Sequence, residues 1–95
     1  MQRLNDETAT AIAISALQYL AGDDDLLNRF SGLTGILPND MRSAAADPGF
    51  LVGVLDFFLA YEPDLLAWSA AEDMNPELAI AARDTLDPTD AGGFE

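Results

Sequence analysis

Apolar residues in this chain recur every three or four positions and almost never alternate. Ala9, Ile12, Ala13, Ala16, Leu17 and Leu20 fall on one face of a helical wheel, the spacing of an amphipathic helix. Asn5 stands where an N-cap belongs, with Asp6 and Glu7 in the first turn, where the helix dipole favours acids. Gly22 is placed to end this helix in a left-handed cap. The same syntax then repeats. Asp23, Asp24 and Asp25 open a second helix with Leu26, Leu27, Phe30 and Leu33 inward and Gly35 at its end. A short third helix, Pro38–Ala46, offers Met41, Ala44 and Ala45 to a core.

Three more starts pair a polar residue with a proline, whose missing N–H costs nothing in a first helical turn. Asp47-Pro48 opens a fourth helix, Glu62-Pro63 a fifth with Leu65, Leu66 and Trp68 inward. Asn75-Pro76-Glu77 opens a sixth that presents Leu78, Ala79, Ala82 and Leu86. Valine occurs only at Val52 and Val54, and no run of five residues alternates, so strand signals are nearly absent. The expected fold is all-α, a compact bundle of about five to six short helices with no sheet. Residues 1–86 read as one domain, and 87–95, where Phe94 is the one large apolar residue, as a flexible acidic tail.

Composition supports a folded chain. At 95 residues and 49% hydrophobic it is one small domain, too apolar for a disordered acidic segment. Charge narrows its partners: 17 Asp and Glu face 4 Arg, with no Lys and no His, for a net charge of -13. Such a chain repels phosphate backbones and anionic lipid, and electrostatic steering favours a basic protein. The longest apolar run, Phe50–Tyr61, is interrupted by Gly53 and Asp56 and falls short of the roughly 20 residues a bilayer requires. The N-terminus turns acidic at Asp6 and Glu7, where a signal peptide would become apolar, so the expected location is cytoplasmic.

The missing residue types close off most chemistry. Without Cys, His or Lys, Ser15, Ser31, Ser43 and Ser69 have no imidazole or amine to activate them. Gly32-Leu33-Thr34-Gly35 lacks the length and the lysine of a phosphate loop. No catalytic, cofactor-binding or metal-ligating residue is assigned, and an enzyme is not expected. Asp23 and Asp25 fit the first and third positions of a calcium loop, but Asn28 and Thr34 occupy its glycine and glutamate positions. Helix-capping acids explain the run better.

Three features remain as candidate partner sites. The stretch Phe30–Arg42 has the outline of a helix-turn-helix unit, yet its second helix offers only Asn39 and Arg42 beside Asp40. Arg42 stands apart: Arg29 has Asp25 four residues before it and Arg83 has Asp87 four after, whereas Arg42 has no acid at those offsets. A long-range ion pair or a binding role would account for it. Lastly, Gly49, Gly53, Asp56 and Ala60 lie within about 60° on the wheel of the otherwise apolar fourth helix. That stripe fits close packing against a helix of the same chain, or contact with a partner helix or a second copy. Arg42, Gly49, Gly53 and Asp56 are therefore the candidate partner-binding residues.

The functional expectation is a small acidic helical protein-interaction module, its partner an unidentified protein with a basic or apolar patch. The alternative is a nucleic-acid-related role: weak binding through the helix corner, or an acidic DNA mimic that occupies a basic protein. A homodimer is a third arrangement the stripe would accommodate.

Taken together, Leu20-Ala21-Gly22-Asp23, Phe30, Leu33-Thr34-Gly35, Arg42, Ala46-Asp47-Pro48-Gly49-Phe50-Leu51 and Val54-Leu55-Asp56-Phe57 resemble one known pattern. Glu62, Leu65-Leu66, Pro76-Glu77, Ala82-Arg83 and Leu86 extend it. The chain resembles domain-of-unknown-function family 3572, short helical proteins of alphaproteobacteria. The resemblance covers roughly Glu7 to Leu86. It implies an independent small bacterial protein, and it brings no activity, cofactor or catalytic residue.

Overall fold

A computed structural model describes residues 4–87. Six α-helices and one 3₁₀ turn follow one another: α1 (Asp6–Ala21), α2 (Asp24–Thr34), the 3₁₀ turn (Pro38–Asp40), α3 (Met41–Ala44), α4 (Pro48–Leu59), α5 (Glu62–Ala71) and α6 (Glu77–Leu86). Among the described residues there is no strand. The fold is an all-α bundle.

Local chemistry sets the helix starts. The Asn5 carboxamide oxygen accepts from the Thr8 N–H at 2.7 Å. Asp23 accepts from the N–H groups of Asp25 and Leu26, and Asp47 from that of Gly49. Each satisfies a donor that the first helical turn leaves without an intrahelical partner. The Asp23 carboxylate thus acts as a cap. Before α6, Asn75 accepts from the Glu77 N–H in the same manner.

The ends depart from expectation in one place. Gly22 closes α1 at φ -85°, in the right-handed region and not in the left-handed one. The connection to α2 is too short for a full left-handed reversal, because Asp23 must already be extended to cap α2. Gly35 does take the left-handed conformation, at φ 77°, and its N–H donates to the Ser31 carbonyl. A second left-handed residue is Asp73, at φ 53°. There the Met74 N–H reaches back to the Ser69 carbonyl at 2.8 Å, a six-residue closure of the end of α5.

Packing is centred on α1, α4 and α6, which contact one another; α2 lies on α1, and α5 on α4. The apolar content of α4 explains its position, with Phe50, Leu51, Val52, Val54, Leu55 and Phe58 all buried. Aromatic rings tie the outer helices to it. Phe30 of α2 meets Phe50 and Phe57 edge-on at 5.8 and 5.4 Å, and Trp68 of α5 lies 5.1 Å from Phe58. Aromatic pairs of this kind add about 0.5–1.5 kcal/mol beyond the area they bury. Trp68 is wholly buried, and its indole N–H donates to the Ser15 hydroxyl of α1 at 3.2 Å. The Thr85 hydroxyl donates to the Leu4 carbonyl and so ties α6 to the residues before α1.

Two expected core positions fall elsewhere, and one expected helix is divided. Leu33 is 76% exposed: the last turn of α2 runs past the core, and Ile36, beyond Gly35, packs against it instead. Leu66 is half-exposed, because α5 turns Leu65, Trp68 and Ser69 inward and Leu66 lies about 100° round the helix from Leu65. The expected third helix, Pro38–Ala46, divides into the 3₁₀ turn and four α-helical residues, with no side-chain cap from Leu37. Met41 is nonetheless buried, and Ala44 and Ala45 pack against the core as expected. Asp87, which the sequence placed in a tail, donates its N–H to the Arg83 carbonyl at the end of α6; the rest of that tail lies outside the described residues.

Candidate functional site

The position of Arg42 follows from the break between α2 and α3. Pro38 and the 3₁₀ turn reverse the chain so that Met41 points into the core and Arg42, one residue on, points out. Between α1, α2 and α3 this leaves an open groove of about 420 Å³. Its apolar lining comes from Ile14 and Leu17 of α1, Leu27 of α2, and Met41 with Ala45. Among the described residues, Gln18 and Arg42 are its two long polar side chains and no carboxylate lines it.

The arginines differ sharply in their surroundings. Arg29 does not pair with Asp25; its guanidinium donates to Asp64 of α5 at 2.6 Å and lies over the rings of Phe57 and Tyr61. The hydrogen bond to Asp64 raises its pKa above the ordinary arginine value, against a smaller opposing effect of desolvation. The group therefore stays charged at any working pH. Arg83 reaches Asp87 at 3.9 Å, as helical spacing predicted, and also Asp56 of α4 at 2.6 Å. Arg42 is exposed, and among the described residues it makes no ion pair. The long-range pair that would have explained it is absent there.

Along the stripe on α4, Asp56 contacts α6, but neither glycine is closely approached by another helix among the described residues. A Cβ built on Gly53 would meet no atom within 4 Å among the described residues. At Gly49 a Cβ would come within 3.3 Å of the Asp47 carboxylate, which belongs to the capping residue of the same helix. Asp56 is held by Arg83, and Ala60 is exposed as the C-cap. Among the described residues α6 reaches this line through Arg83 on Asp56, and the buried contacts of α4 are made by its aromatic and branched residues. Gly49, Gly53 and Asp56 also do not line the groove of Arg42, so the candidates divide into two separate places.

The helix corner at Gly35 is real, but the helix after it has four residues, one turn carrying one cation. No groups of three or more acids that could hold a metal occur among the described residues. No helix among them is long and apolar enough to cross a membrane.

Residues 6–89 match the family described as Protein of unknown function (DUF3572). The chain belongs to that family. The match spans every helix of the fold, α1 through α6, and takes in both candidate places. No curated protein and no solved structure matches the chain.

Sequence reasoning found Arg42 by the absence of nearby acids, but missed the groove beside it. Ile14 was the available signal, a large apolar residue off the main stripe of α1 whose side chain packs only partly against the core. The pairing of Arg29 with Asp64 joins residues 35 apart, and nothing in local spacing marks it.

Proposed function

We propose that this family member is a small acidic interaction module of the bacterial cytoplasm, docking a protein that presents a basic surface with apolar side chains. The observation that carries this reading is the exposed corner between α2 and α3. Leu33 and Leu37 are 76% and 60% exposed there, in a chain whose net charge is -13. Two large apolar side chains held out by a left-handed glycine lose little by being solvated singly, but together they offer a partner a ready contact. The surrounding charge would steer a basic protein toward them and keep copies of the chain apart.

The test is co-purification from a native lysate, comparing the wild-type chain with a Leu33→Ser, Leu37→Ser double variant. Both residues are exposed, so the variant should keep its melting temperature within the range of ordinary surface changes, about 0.5 kcal/mol each. A specific partner should be basic, should dissociate as salt is raised, and should be lost from the variant. A native protein that sediments as a free monomer at every salt concentration would overturn the reading.

A further inference from the structure

Arg42 and the groove beside it support an inference independent of any protein partner. We propose that the groove between α1, α2 and α3 binds an amphipathic monocarboxylate, with its apolar body on Ile14, Leu17, Leu27 and Met41 and its carboxylate on Arg42. At about 420 Å³ the groove falls within the size range of small-molecule sites. Its lining is largely apolar, with two polar side chains, Gln18 and Arg42, available to orient a head group. The planar guanidinium matches a carboxylate with two parallel hydrogen bonds, and the Gln18 amide can donate a further one.

The sign of the local charge selects the ligand. A chain of net charge -13 should, taken as a whole, attract cations. Arg29 and Arg83 are each met by an aspartate at 2.6 Å, which neutralises them. At the groove the relation is reversed: a guanidinium is present and, among the described residues, no carboxylate lines the site. Screening over about 8 Å at physiological ionic strength mutes acids beyond that range, and the lining cation is the charge a head group in the groove meets directly. A second depression serves as an internal contrast. It lies along α6, with Leu4, Leu78 and Ile80 beside Glu77 and Asp84, and among the described residues its charged side chains are both acidic. An apolar cation should prefer that place.

The experiment uses the full chain, labelled with ¹⁵N, titrated with octanoate, octanol and octylammonium near physiological ionic strength. Octanoate should shift the amide signals of Leu17, Gln18, Met41 and Arg42 to saturation, and more tightly than octanol. Arg42→Gln should weaken octanoate about tenfold, the loss expected for charge-assisted hydrogen bonds, and leave octanol unchanged. Because Arg42 is exposed and makes no ion pair among the described residues, the variant should melt as the wild type does. The reversed variant, Arg42→Glu, should favour octylammonium in the groove. Three results would each overturn the proposal: octylammonium matching octanoate in the wild-type groove, octanoate shifts centred on Leu78 and Ile80, or an unchanged octanoate affinity in Arg42→Gln. The absence of any saturable shift would also overturn it. None of these results bears on the corner of Leu33 and Leu37, which the co-purification tests separately.

Discussion

The two sides of α4 are made from the same short helix and behave in opposite ways. On one side Phe50, Val54, Leu55 and Phe58 are buried, and Phe58 contacts Tyr19 of α1 and Trp68 of α5. On the other, Gly49 and Ala60 are exposed, and a Cβ on Gly53 would meet nothing within 4 Å among the described residues. Small residues at helical spacing permit a close approach, but they do not cause one. Burial is driven by the area that large side chains remove from water, and that drive lies wholly on the aromatic side. Among the described residues, the glycine side is met only by the Arg83 side chain on Asp56.

The largest expected effect comes from emptying the packed side. Phe58→Ala removes a ring that is wholly buried and touches Tyr19, Phe57 and Trp68. It should destabilise the chain by about 3–5 kcal/mol, a large share of what so small a domain possesses. Urea unfolding followed by tryptophan fluorescence would measure it, since Trp68 lies against the cavity. A loss below about 1 kcal/mol would mean that the two sides of α4 are far less unequal than their burial implies.

A smaller effect should come from the polar contact that fixes Trp68 against α1. Ser15→Ala removes the acceptor of the indole N–H and leaves that donor buried. The cost should be about 1–3 kcal/mol, the penalty for an unpaired buried group. Thermal melting, with Ser69→Ala as comparison, would separate this from a general serine effect. The Ser69 hydroxyl donates only to the carbonyl of Leu65, one turn back in its own helix, where the backbone bond persists without it.

These contrasts explain what could be read from the residues in advance. Caps and prolines act within a few positions, so Asn5, Asp23, Asp47 and Asn75 announced their helices correctly. Periodicity identified the inner face of α1, and that of α6 except for Leu78, which lines the depression on α6 instead, because both helices have a polar side to set against it. It failed at Leu33, where the helix outruns the core, and periodicity carries no information on where a core ends. It also failed on α4, which is apolar nearly all round and so gives no direction. Ion pairs divided likewise: the contact of Arg83 with Asp87 was visible at four residues, but those of Arg83 with Asp56 and Arg29 with Asp64 depend on which helices become neighbours. The groove of Arg42 needed three elements in place before it existed.

The smallest effect, and the one of opposite sign, belongs to the open side. Gly53 sits in the middle of α4, where glycine costs about 0.8–1.0 kcal/mol relative to alanine because the unfolded chain gives up more freedom there. A Cβ at this position meets no atom within 4 Å among the described residues, so nothing offsets the gain in helix propensity. Gly53→Ala should therefore stabilise the chain by somewhat under about 1 kcal/mol, a rise of a few degrees in melting temperature. Gly53→Leu should also be tolerated, because its added side chain has room that Phe58 or Leu55 would not give it. The pair of variants distinguishes an open face from a covered one. Alanine raising the melting temperature while leucine lowers it steeply would mean that something does lie against this side of α4 in solution, at a distance a single methyl group does not reach. Sedimentation of both variants across a range of concentrations would then show whether that neighbour is a second copy: an interface between copies would make the leucine effect concentration-dependent, and an uncovered face would leave both variants monomeric and at least as stable as the wild type.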